Sequence, residues 1–292
     1  MSIPAAAVLA HWGISRNPFD IGGEVGGSIA ITDSMRATTE FILTQAASGG
    51  CSAVLGDIGD GKTTALKHSK KALLKQPERF VVVNPVTLAT GNLTPNALVR
   101  YIFETHGSYI PRYATSASKL TALIDLVEQI PARTVLLLDE CHMLHWSILR
   151  LCKELADITS QVSTILVGHR LPMEAALKKH DSTDLAKRLD IGRTFSPPPL
   201  SLEDASRILG QRRCLEPKLP EFSPEVVKEM LAHQHSPLGL LGLAWAMLVQ
   251  GVESNSRDIV VRQVRAAAGR STAQCRILNH PDINRVREGE KR

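Results

Sequence analysis

The chain has 292 residues, of which 43% are hydrophobic and 22% charged, and its formal net charge is +5. This is the composition of a folded protein with a sizeable core, and it excludes an extensively disordered chain. Aromatic residues make up only 4%, which argues against a protein that reads single-stranded nucleic acid by stacking bases on aromatic side chains.

The first two thirds of the chain predict an α/β domain. Residues 1–30 are expected to be loop-like, because four glycines between positions 22 and 27 interrupt any periodicity. Apolar strands and amphipathic helices then alternate, which indicates a mostly parallel sheet covered on both faces. The predicted strands are Cys51–Leu55, Arg79–Asn84, Thr134–Asp139, Ser163–Gly168 and Arg193–Phe195. The predicted helices are Thr32–Ala47, a lysine-rich segment ending near Lys75, Thr94–Thr105, Ser118–Gln129 and Trp146–Ile158.

Three consecutive prolines, Pro197, Pro198 and Pro199, mark a domain boundary, because proline cannot continue a strand ladder. Helical patterns follow at Leu202–Arg213, Ser223–His233, Leu238–Val249 and Ser256–Ala268. We therefore predict an N-terminal extension over 1–30, an α/β core over 31–197, a small all-helical domain over 198–268 and a polar tail over 269–292.

The net charge is concentrated at the C-terminal end. Residues 254–292 contain nine basic and four acidic side chains, which accounts for the whole excess of +5. Two interpretations stay open: a solvated tail, or a tail that contacts DNA or another anionic partner.

Cysteine usage and the apolar runs suggest a cytoplasmic location. The five cysteines are odd in number and form no C-x-x-C pair, so reduced thiols are expected. His142 and His145 lie close to Cys141, but packing after a buried strand explains them better than a metal site does. A basic N-terminal segment and a run of 18 apolar residues are both lacking, so neither a signal peptide nor a membrane span is expected.

One segment matches the phosphate-binding pattern G-x-x-x-x-G-K-[ST] between a predicted strand and a predicted helix. Its backbone N–H groups would surround phosphate oxygens, Lys62 would contact the β- and γ-phosphates, and Thr63 would hold Mg²⁺. This predicts an ATP site. The predicted nucleotide-binding residues are Gly56, Asp57, Ile58, Gly59, Asp60, Gly61, Lys62, Thr63 and Thr64.

Two acidic residues follow the buried run 135–138 at the carboxyl end of its strand, where open α/β sheets bind ligands. We predict that Asp139 holds Mg²⁺ and that Glu140 is the general base for the attacking water. Adjacent acids after a strand can also be plain solvated residues, but the upstream loop makes the catalytic interpretation the better one.

Two further residues are candidates for the catalytic site. His169 follows the strand Ser163–Gly168, where a polar side chain can contact the γ-phosphate and the attacking water; a surface histidine is the equally plausible alternative. Arg188 lies in a basic segment before the last strand. It is predicted to be an arginine finger that reaches a neighbouring subunit's nucleotide; the alternative is that it is a solvated residue at a helix end. Arg193 is a weaker candidate for the same role.

These elements in this order resemble the AAA+ ATPases, with a helical lid after the core. The opening residues 11–19 (HWGISRNPF), the run Val167–Pro172 and residues 185–188 are similar to the ExeA-like AAA+ group. That group includes the TnsC- and TniB-type regulators of DNA transposition and, more distantly, phage Mu transposition protein B. The resemblance covers roughly residues 11–250, and the length of the chain favours the transposition branch.

The resemblance implies a protein that binds ATP at subunit interfaces and assembles as rings or filaments on double-stranded DNA. Such a protein recruits or activates a transposase and is released by hydrolysis. In this group DNA is contacted by loops of the core. Contacts to the sugar–phosphate backbone of the DNA are expected here, rather than contacts that read the bases. The candidate DNA-contacting residues are Arg100, Arg112, Lys119 and Arg150, each of which can equally be a solvated surface charge.

The chain departs from relatives in the lid, where Leu241 stands at the position of an arginine that senses the γ-phosphate. Slow hydrolysis is therefore expected, stimulated by DNA or a partner. Three alternatives remain: a helicase-loader or replication-initiation ATPase, an ExeA-like secretion ATPase, and a nucleotide switch with negligible turnover. A non-sequence-specific DNA-binding regulator of transposition is the leading prediction.

Overall fold

The computed structural model describes residues 3–19, 30–85, 93–110, 115–179, 189 and 193–278. The chain divides into two compact units. One unit comprises residues 33–198, and the other combines residues 1–32 with residues 199–292.

The unit of residues 33–198 contains a five-stranded parallel sheet in the order β2-β3-β4-β1-β5. Its strands are β1 (Gly50–Gly56), β2 (Phe80–Val83), β3 (Arg133–Leu138), β4 (Val162–His169) and β5 (Thr194–Phe195). Each central strand lies within a residue or two of its predicted position, because its side chains are apolar on both faces, as buried parallel strands require. The predicted mostly parallel sheet is confirmed.

Helices cover both faces of this sheet. They are α2 (Asp33–Ser48), α3 (Lys62–Leu73), α4 (Pro95–Thr105), α5 (Ser116–Glu128), α6 (Trp146–Ile158) and α7 (Arg170–Lys179). Alternate residues of β3 face opposite ways: Val135 and Leu137 pack with α2 and α3, while Leu136 and Leu138 pack with α4, α5 and α6. The hydrophobic core is therefore split into two layers by the sheet.

Helix α7 is an element that the sequence pattern did not predict. Pro172 discourages a helical interpretation, but it is the third residue of α7, in the first turn, where the missing N–H costs no helical hydrogen bond. Met173 anchors the helix, since it is fully buried against the core of the α/β unit.

The second unit is helical and contains α1 (Ala5–Trp12), α8 (Leu202–Leu215), α9 (Pro224–His233), α10 (Pro237–Glu253) and α11 (Val261–Leu278). Two of these helices begin with a serine cap followed by proline: Ser223 precedes α9 and Ser236 precedes α10. Helix α4 in the other unit begins with Thr94 and Pro95 in the same way. The cap oxygen accepts a backbone N–H, and proline fits the first helical position because it has no N–H to lose.

The N-terminal residues belong to this helical unit and are not loop-like throughout. Helix α1 buries Val8 and Trp12, and the Trp12 Nε1–H donates to the Leu248 carbonyl at 2.9 Å. Phe19 is buried and meets the Phe222 ring edge to face. The stretch resembling the ExeA-like group thus has a packing function here.

The last helix also differs from its predicted bounds. Helix α11 starts at Val261, later than the predicted Ser256, and continues past Ala268 to Leu278. Gly269 lowers helix propensity by only about 1 kcal/mol and is surrounded by good helix formers, so it does not end the helix. Residues 279–292 lie outside the described residues.

Within the described part of the chain, no helix is by itself long and apolar enough to cross a membrane. Helices α9 and α10 reach that length and composition only together, across a bend of 117°.

Candidate nucleotide site

The loop between β1 and α3 has the geometry of a phosphate-binding loop. Gly59 and Gly61 have positive φ angles of 89° and 80°, which favour glycine. A Cβ on Gly56 would lie 2.5 Å from Asp60 Oδ2 and 3.1 Å from Pro197 Cδ, so a larger residue there would distort the loop. The Asp60 carboxylate braces the turn by accepting the Asp57 N–H at 2.6 Å. Backbone shape therefore favours glycine at 59 and 61, and close packing favours it at 56.

The Lys62 side chain lies folded across this loop. Its ammonium donates to the carbonyl oxygens of Gly56 at 3.2 Å and Asp57 at 2.5 Å, and the residue is only 8% exposed. Burial lowers the pKa of Lys62, while the nearby charges of Asp60, Glu140 and Asp139 act in the opposite direction. A phosphate group would give the buried ammonium an anionic partner, whereas the two carbonyl oxygens are neutral hydrogen-bond acceptors.

Three other predicted nucleotide-binding residues are exposed or half-buried. Thr63 is exposed in the first turn of α3, Thr64 follows it half-buried, and Ile58 is 72% exposed at the loop tip. Burial raises the pKa of the Asp60 carboxyl. The N-terminus of α3 leaves unpaired N–H groups and a positive dipole end beside this loop, which suits phosphate.

Strand β3 delivers Asp139 and Glu140 to the same edge of the sheet. The Glu140 N–H donates to Asp139 Oδ1 at 2.9 Å. Glu140 has a left-handed backbone conformation, with φ 50° and ψ 41°, and a 3₁₀ turn over Cys141–Met143 follows. A tight turn therefore positions the two carboxylates. They are close enough to Lys62 for their charges to favour its protonated form.

His169 lies beside these groups because of strand register. In the β1–β4 pair His169 is opposite Gly56, the first residue of the loop. Its Nε2 is 3.8 Å from Glu140 Oε2. The structure thus places His169 beside Glu140, the residue that the sequence predicts to be the general base.

His142, which the sequence analysis attributed to packing after a buried strand, is a neighbour of these groups. Its Nδ1 lies 3.4 Å from Glu140 Oε2, and its ring meets the His169 ring edge to face with centroids 4.6 Å apart. Burial lowers the pKa of His142, and the adjacent His169 adds to this effect. The two histidines are 27 residues apart, so only the sheet topology shows that they are neighbours.

Gly168 permits the close approach of β4 to the turn that contains Cys141. A Cβ there would lie 2.6 Å from Cys141 Sγ and 3.2 Å from the Cys141 backbone nitrogen. Cys141 is fully buried and directs its thiol toward Met173 Sδ at 4.0 Å, and burial raises its pKa far above the usual range. Cys141 is therefore a packed neutral thiol.

Asn84 is a second residue that the sequence pattern did not single out. It follows β2, donates through Nδ2 to the Leu137 carbonyl at 2.8 Å and accepts from Lys70 Nζ at 3.0 Å. Its side chain therefore links the ends of β2 and β3 to helix α3. A polar residue directly after a buried strand was the available signal.

The candidates for the arginine finger divide into two. Arg188 lies outside the described residues. The Arg193 side chain makes a structural contact, since its Nη1 donates to the Gly49 carbonyl at 2.8 Å. A side chain on Gly50 would collide with the Arg193 guanidinium. Arg193 therefore ties β5 to the start of β1.

The three candidate DNA-contacting residues that the structure describes lie on one helical layer. Arg100 on α4 and Arg150 on α6 have side chains 62% and 71% exposed, and each pairs with a glutamate one turn on, Glu104 at 3.5 Å and Glu154 at 2.9 Å. Lys119 on α5 is half-buried, and Arg112 lies outside the described residues. Exposed pairs of this kind are weak, so these arginines remain accessible to a stronger anion.

Leu241 occupies the lid position at which relatives are expected to carry an arginine. It lies in α10 and is only 7% exposed, within the core of the helical unit. Leu241 thus packs within the core of the helical unit.

The residues present fit a magnesium nucleotide. Oxygen ligands suit Mg²⁺, and Thr63 and Asp139 supply a hydroxyl and a carboxylate beside the loop. The glycine conformations and the buried Lys62 ammonium suit the phosphates.

Comparisons with known proteins agree with this geometry. Residues 45–177, somewhat less than half of the chain, match the AAA domain family. No curated protein matches the chain significantly. The sheet order, the loop and the acidic pair define a P-loop protein of the AAA+ fold.

Several solved structures share this fold. The ADP form of the ORC2 protein of Aeropyrum pernix has 16% identity and a TM-score of 0.53, over 88% of this chain and 73% of that one. Cdc6p of Pyrobaculum aerophilum has 17% identity and a TM-score of 0.54, over 87% and 70%. A Walker-type ATPase of Pyrococcus abyssi has 14% identity and a TM-score of 0.54, over 94% and 81%. At these identities the likeness is one of fold.

Proposed function

We propose that this protein binds and hydrolyses ATP with Mg²⁺ in the site between β1 and β3. The observation that carries the proposal is the convergence of Lys62, Asp139 and Glu140, whose charges act on one another beside a glycine-shaped loop. Lys62 would bind the β- and γ-phosphates, and Thr63 and Asp139 would hold the metal. Bound Mg²⁺ would neutralise charge on the phosphates.

Glu140 is the proposed general base, since its carboxylate is about half exposed at the sheet edge and can orient a water molecule. His169 is proposed to position the γ-phosphate or that water. Arg188 is proposed to act from a neighbouring subunit in an assembled form.

The ATPase proposal is tested by two substitutions in the full chain. Lys62→Ala should abolish nucleotide binding, measured with a fluorescent ATP analogue, whereas Glu140→Gln should bind ATP and lose at least 10-fold in turnover. Lys67→Ala is the matched control, because Lys67 is exposed on the same helix. Unchanged turnover in Glu140→Gln would remove Glu140 from the role of base. ATP binding without turnover in the wild type would favour a nucleotide switch.

We further propose that the ATP-bound protein assembles on double-stranded DNA in the cytoplasm. Support comes from the resemblance to transposition ATPases, the net charge of +5 and the accessible arginines on the α4–α6 layer.

A gel shift with plain duplex should require ATP or a slowly hydrolysed analogue and weaken steeply with salt. The double variant Arg100→Ala/Arg150→Ala should weaken binding, and Arg36→Ala, at an exposed site on α2, should leave it unchanged. Absence of any shift at low salt, together with no filaments or rings by negative stain, would overturn the DNA proposal.

Regulation of DNA transposition is the finer function we propose, with a transposase as partner. It rests on the sequence similarity of residues 11–19 and 167–172 to the ExeA-like group. An integrase-type transposase encoded beside this protein, and its ATP-dependent capture by the DNA-bound form, are the expected observations.

A replication-initiation ATPase is the second candidate, favoured by the likeness of fold to the Aeropyrum ORC2 and Pyrobaculum Cdc6p structures. Capture of a replicative helicase by the DNA-bound form, with no transposase, would favour it over transposition.

A further inference from the structure

Glu140, His142 and His169 form a compact cluster of metal-ligating side chains at the end of β3 and β4. One ligand atom of each lies within 4.8 Å of the others. Glu140 Oε2 is 3.4 Å from His142 Nδ1 and 3.8 Å from His169 Nε2. The proposed ATPase chemistry gives no function to His142, so this cluster needs a separate explanation.

The spacing resembles that of zinc ligands. In a tetrahedral site with Zn–N and Zn–O bonds of about 2.0–2.1 Å, neighbouring ligand atoms are roughly 3.3–3.5 Å apart. The two distances from Glu140 are within a few tenths of an ångström of this value, and the histidine ligand atoms lie within 4.8 Å of each other, so side-chain rotations would complete the set. Three protein ligands would leave the fourth position open to water.

The surroundings hold the two imidazoles and leave an entry path. The His142 and His169 side chains are 12% and 22% exposed, while that of Glu140 is 46% exposed on the open side. His142 Nδ1 also accepts the His169 N–H at a long 3.4 Å, a weak bond that a metal would replace. Cys141, though adjacent, is not a ligand, because its neutral thiol points to Met173.

We propose that Glu140, His142 and His169 bind a zinc ion, and that bound zinc blocks ATP hydrolysis by occupying the Glu140 carboxylate. Two imidazoles and one carboxylate favour Zn²⁺ over Mg²⁺, which prefers oxygen ligands. Zinc binding is independent of the proposed function, and only the inhibition rests on it. The site is distinct from the predicted magnesium ligands Thr63 and Asp139.

The binding test uses the full chain without nucleotide. Titration calorimetry with Zn²⁺ should show one site per chain, and His142→Gln should weaken zinc affinity at least 10-fold. Losing even a residue that only supports a metal ligand typically costs about 10- to 100-fold in affinity. His145→Asn is the matched control: His145 is exposed one turn away and caps α6 through Ser147, and asparagine can cap as well. Equal affinity in wild type and His142→Gln, or no binding to the wild type, would overturn the site.

Co²⁺ provides a spectroscopic check of the ligands. The wild type should give the visible bands of tetrahedral Co²⁺ without thiolate charge transfer. His142→Cys should still bind the metal and add a thiolate band, which covers the case in which His142→Gln folds poorly. A thiolate band in the wild type, or a missing one in folded His142→Cys, would contradict the assigned ligands.

Inhibition is measured separately at saturating Mg²⁺ and ATP. Zn²⁺ should inhibit wild type and His145→Asn, while His142→Gln should keep most of its own zinc-free rate at the same Zn²⁺ concentration. Equal inhibition of all three would show that zinc acts elsewhere. If the protein lacks ATPase activity, the proposed function fails, but the calorimetry still decides whether zinc binds.

Discussion

At the residue scale, Glu140, the proposed general base, has an unfavourable backbone conformation. A residue with a Cβ in the left-handed region costs of order 1 kcal/mol or more, and Glu140 has φ 50°. The tight turn into Cys141–Met143 enforces this conformation. Such strain persists where the rest of the structure over-determines a site, which agrees with Glu140 serving hydrolysis.

We therefore expect Glu140→Gly to be more stable than Glu140→Ala by about 1 kcal/mol, although both lack turnover. The two variants remove the same carboxylate and differ in tolerance of a positive φ. Urea unfolding followed by circular dichroism measures the difference. An alanine variant as stable as the glycine variant would show that Glu140 is unstrained.

At the element scale, two of the three glycines of helix α10, Gly242 and Gly251, have opposite environments. A Cβ on Gly251 would lie 2.4 Å from the Trp12 ring and 2.9 Å from the Ser256 carbonyl oxygen, whereas a Cβ on Gly242 would have no described atom within 4 Å. Gly251 thus permits the approach of α1, and Gly242 contributes only low helix propensity.

Gly251→Ala should lower the free energy of unfolding by about 1–3 kcal/mol, the usual cost of overpacking. Gly242→Ala, on the same helix, should raise it by about 0.5–1 kcal/mol. Thermal melts of both variants check the pair. Stabilisation by Gly251→Ala would mean that α1 does not pack on this part of α10.

At the scale of the whole molecule, the helical unit is assembled from both ends of the chain. Val8, Trp12, Ile14 and Phe19 are all at most 6% exposed and belong to its core. The α/β unit, by contrast, is continuous from residue 33 to residue 198. Loss of the N-terminal residues should therefore affect one unit selectively.

Deleting residues 1–19 should reduce hydrogen-exchange protection in α10 and α11 and leave that of β1, β3 and β4 unchanged. The physical reason is the loss of four buried apolar side chains, each contributing about 1.5–3 kcal/mol. Trp12→Phe is a milder control that removes the hydrogen bond to Leu248 and keeps most of the packing. Unaltered exchange in α10 after the deletion would contradict the shared core.

Local patterns were enough to predict the sheet strands and the phosphate loop. Apolar runs such as 135–138 form strands buried on both faces, and glycines at 56, 59 and 61 meet steric demands of a loop only a few residues long. Periodicity failed for α1 and α7. These short helices are stabilised by burial of Trp12 and Met173 against distant segments, and such contacts leave little trace in the local pattern.

The sequence by itself determined the α/β class and the glycine-rich loop of the candidate nucleotide site, because these depend on local backbone shape and on residues adjacent in the chain. Only the tertiary structure decided that the N-terminal helix completes the C-terminal unit, and that His142 and His169 meet at Glu140. Strand order and register bring the two histidines together at Glu140, and both are set by the packing of the whole sheet.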